Sequence, residues 1–245
     1  MMTLSLPAQL SNDTVDKIVS HFGMSEVHGA DGGPYMTLTS HAPMAQGEVG
    51  HVRVFTGGGL EKLVTCSIVV PQIMLDSHML YGFSAKDNAI PHFTLDSVKA
   101  GDHFAFHLDL TPRLDLGANI DYMNQVFLPL TATFDEAEAM EGITKAHISP
   151  RQRAIMSPWM LVHRADEKGF SQLTPFLDSY LNHWYSLHES GVEVTQSVAE
   201  LQQRDMANRA AIFDPAIDPV WDRIEGLIGG DAVSKLRGLL KGADA

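Results

Sequence analysis

The sequence predicts an α/β chain in which a central antiparallel sheet is flanked by helices. Three observations carry this. Between Pro34 and Arg113, short apolar runs of strand character follow one another across Gly-containing turns, as hairpin-linked strands require. Stretches with apolar residues at helical spacing stand on both sides of that block. No long linker and no internal repeat interrupts the 245 residues, so the chain reads as one domain over residues 1–245.

Taken in order, "SNDTVDKIVSHFG" opens with capping residues and ends at Gly23. Val15, Ile18, Val19 and Phe22 fall on one stripe, which predicts a helix over Ser11–Phe22. "PYMTLTS" is a weak strand. "HVRVFT" and "KLVTCSIVV" flank "GGGLE", a turn, and "SHMLYGFS" continues the β-rich block. After Gly117, "NIDYMNQVFLPLTATFDEAEAMEGI" mixes loop with short helices, and "PWMLVHR" is a further strand. "EKGFSQLTPFLDSYLNHWYSLHES" carries a broad apolar face with Pro175 in its first turns. "EVTQSVAELQQRDMANRAAIF" is another helix. "PVWDRIEGLIG" and "DAVSKLRGLLK" are two short ones divided at Gly229–Gly230.

Composition narrows the function. Lys plus Arg number 17 against 30 Asp plus Glu, a formal charge of −13, which opposes a general nucleic-acid binder. Arg151, Arg153, Arg164 and Lys168 lie close enough in sequence to form a local basic patch. The single cysteine, Cys66, excludes an internal disulfide and a cysteine-rich metal site, and its apolar run marks it as a small buried hydrophobe. "MMTLSLPAQLSNDT" has neither the basic start nor the apolar core of a signal or transit peptide, so the expected location is cytoplasmic. No apolar run reaches membrane-spanning length. "TGGGLEK" lacks the Gly-Lys-Ser/Thr ending of a phosphate loop, and neither a dinucleotide fingerprint nor a Gly-x-Ser-x-Gly elbow is present.

One stretch stands out chemically: "IPHFTLDSVKAGDHFAFHLDLTPR", Ile90–Arg113. A two-residue turn at Ala100-Gly101 would make it a hairpin in which Asp96 faces Ala105, Thr94 faces His107 and His92 faces Asp109. Alternation then gathers His92, Thr94, Asp96, Ala105, His107 and Asp109 on one face. Phe93, Leu95, Phe104, Phe106 and Leu108 gather on the other. A solvated sheet face favours Lys, Glu, Thr and Arg, whereas His and Asp suit proton transfer, so the polar face reads as a pocket wall. His92, Thr94, His107 and Asp109 are therefore expected to contact a substrate. A rival reading makes His92, His107 and Asp109 two imidazoles and a carboxylate around a metal ion.

"PHFTLD", the hairpin and "LDLTPRLDL…DY" resemble red chlorophyll catabolite reductase and, more distantly, the ferredoxin-dependent bilin reductases. The resemblance continues through "SPWMLVHR", "FLDSYLNHWYSL" and "QQRDMANRAAIF", in ordered blocks over about Leu60–Leu240. It implies a three-layer α/β/α sandwich with a central antiparallel sheet, holding an open-chain tetrapyrrole between the sheet and the C-terminal helices. It also implies an oxidoreductase that takes electrons one at a time from ferredoxin, binds no cofactor of its own, and protonates its substrate from side chains. By the same resemblance Asp96 is the main proton donor and Asp205, in "QQRDMANR", approaches from the opposite side. His78, in "DSHMLYGF", matches a central histidine of some bilin reductases once a residue is inserted. The acidic residue of the phycocyanobilin-forming members has no counterpart in "KLVTCSIVV". Arg113 and Arg209 are candidate partners for propionates, since guanidinium binds carboxylate bidentately. A tetrapyrrole or haem carrier that does not reduce its ligand is the alternative in a different functional class.

Overall fold

A computed structural model describes residues 4–242. Helix α1 spans Leu6–Phe22, a turn and a half longer at its start than the spacing predicts. Ser5 caps it by accepting a hydrogen bond from the Ala8 amide, and Pro7 occupies the first turn, where a missing N–H costs nothing. Among the described residues nine strands follow in one sheet: β1 (Ser25–Val27), β2 (Met36–Ser40), β3 (Gly47–Gly57), β4 (Leu60–Val70), β5 (Leu75–Ser84), β6 (His92–Ala100), β7 (His103–Thr111), β8 (Ile143–Lys145) and β9 (Leu161–Ala165). Their order is β1-β3-β4-β5-β6-β7-β9-β8, with β2 also paired to β3, and every pairing is antiparallel.

The remaining helices are α2 (Ile120–Val126), α3 (Thr131–Glu138), α4 (Pro150–Ile155), α5 (Glu167–Ser171), α6 (Thr174–Ser190), α7 (Val198–Ile212), α8 (Val220–Ile228) and α9 (Gly230–Lys241). Two expected helices begin later or break. The stretch from Glu167 is two helices, because Pro175 starts α6 afresh after Gln172 and Leu173 close α5. Helix α7 starts at Val198, where Ser197 and Glu200 form a reciprocal capping box. The two closing helices divide at Gly229, as the sequence predicts.

The layers form the predicted α/β/α sandwich around an open antiparallel sheet. On one face Leu63, Leu80, Phe93, Leu95, Phe106 and Leu108 pack under α1 and α6. On the other, Val52, Val64, Cys66, Tyr81 and Phe83 pack under α8 and α9, with Ile212 and Phe213 at the end of α7. Strands β3, β4 and β5 thus serve two cores with alternate residues, whereas β6 and β7 give apolar residues to the first alone.

The hairpin of β6 and β7 differs from expectation by an even step. Gly101, not Ala100, takes the first central position of the turn with φ 61°, and Asp102 completes the loop. A glycine is favoured where the first turn residue needs positive φ. Asp96 therefore faces His107, Thr94 faces Asp109 and His92 faces Thr111. Because the partner moves by two residues, no side chain changes face, and the division into an apolar and a titratable side stands.

The sheet and α6 approach closely at Gly82, where a Cβ would lie 2.9 Å from Cη2 of Trp184. Trp184 is fully buried and its indole N–H donates to the carbonyl of Pro91 at 2.8 Å, so the ring cannot give way without losing a hydrogen bond. Gly82→Ala is expected to lose about 1–3 kcal/mol of stability through overpacking. Urea unfolding should show a lower midpoint at an unchanged slope.

Candidate functional site

Three rows of cross-strand neighbours cross the titratable face. The first runs Met79, Asp96, His107, Val162 across β5, β6, β7 and β9. All four line a cleft of about 360 Å³ between the sheet and the layer of α4 and α8. Its walls are mostly apolar, with Tyr81 and Cys66 on the sheet, Ile155 and Met156 from α4 and its end, and Trp221 and Ile224 from α8. Such a volume and lining suit a sizeable, largely apolar ligand oriented by a few polar groups.

Those polar groups cluster at the Asp96–His107 pair. Oδ2 of Asp96 lies 3.4 Å from Nδ1 of His107. Nε2 of His107 is buried and has no hydrogen-bond partner among the described residues. Burial alone would lower the His107 pKa, but the contact with Asp96 and the charges of Asp109 and Asp218 outweigh it and raise the pKa. Asp218, just ahead of α8, lines the same cleft. Burial raises its pKa, and the nearby Asp96 charge adds to the rise. Cys66 lines the cleft as a thiol, its pKa pushed up to about 12 by burial and by Asp96.

The second row, Tyr81, Thr94 and Asp109, is buried behind the first. Asp109 accepts hydrogen bonds from the Ser157 hydroxyl at 2.5 Å and the Ser157 amide at 3.1 Å. Burial still raises its pKa, with His107 and Ser157 opposing. Asp109 thus lies two residues along β7 from His107, acts on it through its charge, and stays out of the cleft.

The third row belongs to a different structure. Nδ1 of His92 accepts from the Ser84 amide at 3.0 Å, which leaves Nε2 as the protonated nitrogen facing Oδ1 of Asp205 at 2.7 Å. Burial and the Arg209 charge lower the His92 pKa to about 3, so this imidazole is neutral. Asp205 also meets Nε of Arg209 at 3.0 Å and Nε of Arg113 at 3.5 Å. Burial would raise the Asp205 pKa, but the His92 hydrogen bond and the two guanidinium groups hold it well below the usual carboxylate range. Arg209 further pairs with both oxygens of Glu61 at 2.7 and 3.2 Å and lies 4.1 Å over the Phe83 ring.

The structure therefore separates the predicted site residues. Asp96 and His107 come together in the cleft, with Asp109 beneath them. Thr94 is fully buried beside Tyr81. Asp205, His92, Arg113 and Arg209 form a buried clamp that ties α7 to the sheet, and none of them lines the cleft. His78 lies on the opposite face with Leu80, held by Asp76 at 2.6 Å and Ser67 at 3.0 Å. The metal reading fails on geometry: both nitrogens of His92 are engaged, both oxygens of Asp109 are held by Ser157, and no three metal-ligating side chains converge among the described residues. Sequence reasoning does not find Asp218 or Arg223. The only local signal is "IDPVW", which reads as a helix start. Asp218 does accept from the Val220 amide at 3.0 Å while facing the cleft.

A solved structure shares this fold. It is a phytochromobilin synthase from tomato, in complex with biliverdin, with a TM-score of 0.73 over 95% of this chain and 82% of that chain, at 16% identity. No family model and no curated protein sequence matches. At this identity the likeness establishes the architecture.

The clamp makes stability depend on pH with a definite sign. His92 takes up a proton in the unfolded chain below its ordinary value of 6.5 but in the folded chain only near 3. Its contribution is fully present above pH 6.5 and is lost as the pH falls toward 3; Asp205 adds a further loss below its ordinary 3.8. The half-buried His188, its pKa lowered to about 4 by desolvation, acts in the same direction. Unfolding free energies of the wild type should fall between about pH 6 and pH 4, and His92→Gln should flatten that slope by up to about 1.4 kcal/mol per pH unit.

Proposed function

We propose that this protein reduces an open-chain tetrapyrrole bound in the cleft, using single electrons from ferredoxin and protons from Asp96. The observation that carries the reading is the Asp96–His107 pair at the floor of a mainly apolar cleft, on the fold of a protein crystallised with biliverdin. A linear tetrapyrrole is flat, conjugated and apolar over most of its surface. Met79, Tyr81, Met156 and Trp221 offer it thioether and ring contacts. An added electron makes the pigment more basic, and an acid already within reach then protonates it faster than bulk water. The apolar walls keep water from a reactive intermediate.

The two propionates need cations at the cleft. Arg113 and Arg209 are committed to the clamp, so the cleft-lining Arg223 takes that role, with Gln152 of α4 as a hydrogen-bond donor. Asp218 faces Asp96 across the cleft and is the second carboxylate within reach of the pigment.

Ferredoxins are acidic, and this chain carries −13, so docking relies on a local field. Arg151 and Arg153 flank Gln152 on α4, and Arg164 is exposed on β9 opposite Ala105, which lines the cleft. Lys168 belongs to α5, whose Phe170 packs on Phe104 across the sheet, so it stands apart from these arginines. An acidic electron donor meeting the three arginines would sit near the cleft, where electron transfer is fastest.

Absorbance titration with biliverdin is expected to show saturable binding, followed by bleaching or a colour shift when reduced ferredoxin is supplied without oxygen. Asp96→Asn should bind equally well and lose at least about 100-fold in turnover, the ordinary contribution of a general acid. Absence of a spectral change with any linear tetrapyrrole would sink the reading. Tight binding without turnover would make the protein a carrier.

A further inference from the structure

The geometry points to His107 as a proton relay that recharges Asp96 between the two electron-transfer steps. This rests on the tetrapyrrole-reductase reading above and assigns a step within it. The problem it solves is numerical. A two-electron reduction of a double bond needs two protons, and a single carboxylic acid carries one. The Asp96 side chain is about one-third exposed and a pigment bound in the cleft would cover it, so the second proton is best held by a group already beside it.

His107 is the residue directly across from Asp96 in the β6–β7 ladder, and its Nδ1 lies 3.4 Å from Oδ2 of Asp96. Its ring is largely buried, and the far nitrogen, Nε2, has no hydrogen-bond partner among the described residues. No second acceptor therefore competes with Asp96 for a ring proton. Asp109, two residues along β7 and on the same face, is fully buried and held by both donors of Ser157. The charged and titratable groups around the ring are Asp96 on β6, Asp109 on β7, Tyr81 on β5, Cys66 on β4, and Asp218 and Arg223 at the start of α8. Three of these are carboxylates, and together they favour the imidazolium that burial alone would disfavour.

The sequence of transfers balances. One electron from the iron–sulfur donor enters the pigment. Asp96 gives its proton to the reduced pigment and becomes a carboxylate. The Nδ1 proton of the His107 imidazolium crosses to Oδ2 of Asp96, which restores the acid and leaves a neutral imidazole. A second electron and the renewed Asp96 proton complete a two-electron, two-proton reduction. After the product leaves, two protons from solvent restore the Asp96 acid and the His107 imidazolium.

Two measurements test this. In the ligand-free protein, NMR of ring-labelled histidines identifies His107 by its loss in His107→Gln. The His107 midpoint is expected above the ordinary 6.5 and should fall in both Asp96→Asn and Asp109→Asn. In anaerobic turnover with biliverdin and reduced ferredoxin, His107→Gln should form the one-electron pigment radical at the wild-type rate, detected by electron paramagnetic resonance. It should convert that radical to product at least about 100-fold more slowly. Asp109→Asn preserves the shape of the buried carboxylate and should also slow the second step, with its pH profile displaced to lower pH; it serves if His107→Gln does not fold. His107→Gln completing the reduction at the wild-type rate would overturn the relay, as would a His107 midpoint at or below 6.5 that ignores Asp109→Asn. Asp96→Asn separates the two claims. An inactive Asp96→Asn beside a fully active His107→Gln removes the relay alone. An Asp96→Asn variant that turns over normally removes the reductase reading itself.

Discussion

The two-residue period of strands β6 and β7 is the constraint on which the rest depends. Helices cover both faces of the sheet, so each face needs its own packed layer. Phe93, Leu95, Phe106, Leu108 and Leu110 satisfy the face beneath α6 completely. The opposite face of the same two strands is then free to carry His92, Thr94, Asp96, His107 and Asp109 without weakening the core. A slip by one residue would put imidazoles and carboxylates against Trp184 and Phe170 and send the phenylalanines into the cleft. Register therefore protects the chemistry and the core at once.

Burying titratable groups carries a cost of several kcal/mol for each ion unless partners replace the lost water. Along the third row the protein answers with a closed network. Asp205 has His92, Arg209 and Arg113, and Glu61 takes the remaining donors of Arg209. The Phe83 ring under the Arg209 guanidinium adds a cation–π contact in the same dry space. The network joins β4, β6, the segment after β7, and α7. Anchoring α7 also anchors the chain beyond its C-terminus, which carries Phe213 into the lower core and sets Asp218 opposite Asp96. The clamp thus shapes a cleft that none of its members lines.

How much of this can be read in the chain differs by level. The strands β2 to β7 and β9, the two-faced hairpin and the closing helical pair follow from periodicity and turn residues and appear as expected, whereas the three-residue strands β1 and β8 are too short to show a period. The hairpin turn falls one residue away from expectation because Ala100-Gly101 and Gly101-Asp102 offer the same glycine, and only the sign of φ at the first position chooses between them. The break before α6 escapes the sequence because a proline in a first turn is compatible with either one helix or two. At the site, Asp96, His107 and Asp109 are legible as neighbours on one face, since cross-strand pairing is a local property. Asp205 and Arg209 with His92 and Arg113 are not separable from them, because they lie more than ninety positions away in sequence. No pattern in the chain says whether a helix brings its charge to a cleft or to a strand end behind it. Asp218 is invisible for the same reason.

Two aspartates with the same expected role end in opposite environments. Asp205 faces two guanidinium groups and a neutral imidazole, so its charge is stabilised and it binds a proton only under strongly acid conditions. A carboxylate held in that way cannot serve as an acid near neutral pH; it is suited to holding elements together. Among the described residues the ionic partner of Asp96 is His107, and Asp109 and Asp218 lie near that pair. Acid–base roles are assigned by finding titratable groups whose surroundings drive them apart. Under the proposed function the proton traffic of the cleft would fall to Asp96, His107 and Asp218, while the guanidinium cluster ties α7 to the sheet. The guanidinium groups of Arg113 and Arg209 thus stay in the clamp with Asp205 and Glu61, apart from the cleft that Asp96 lines.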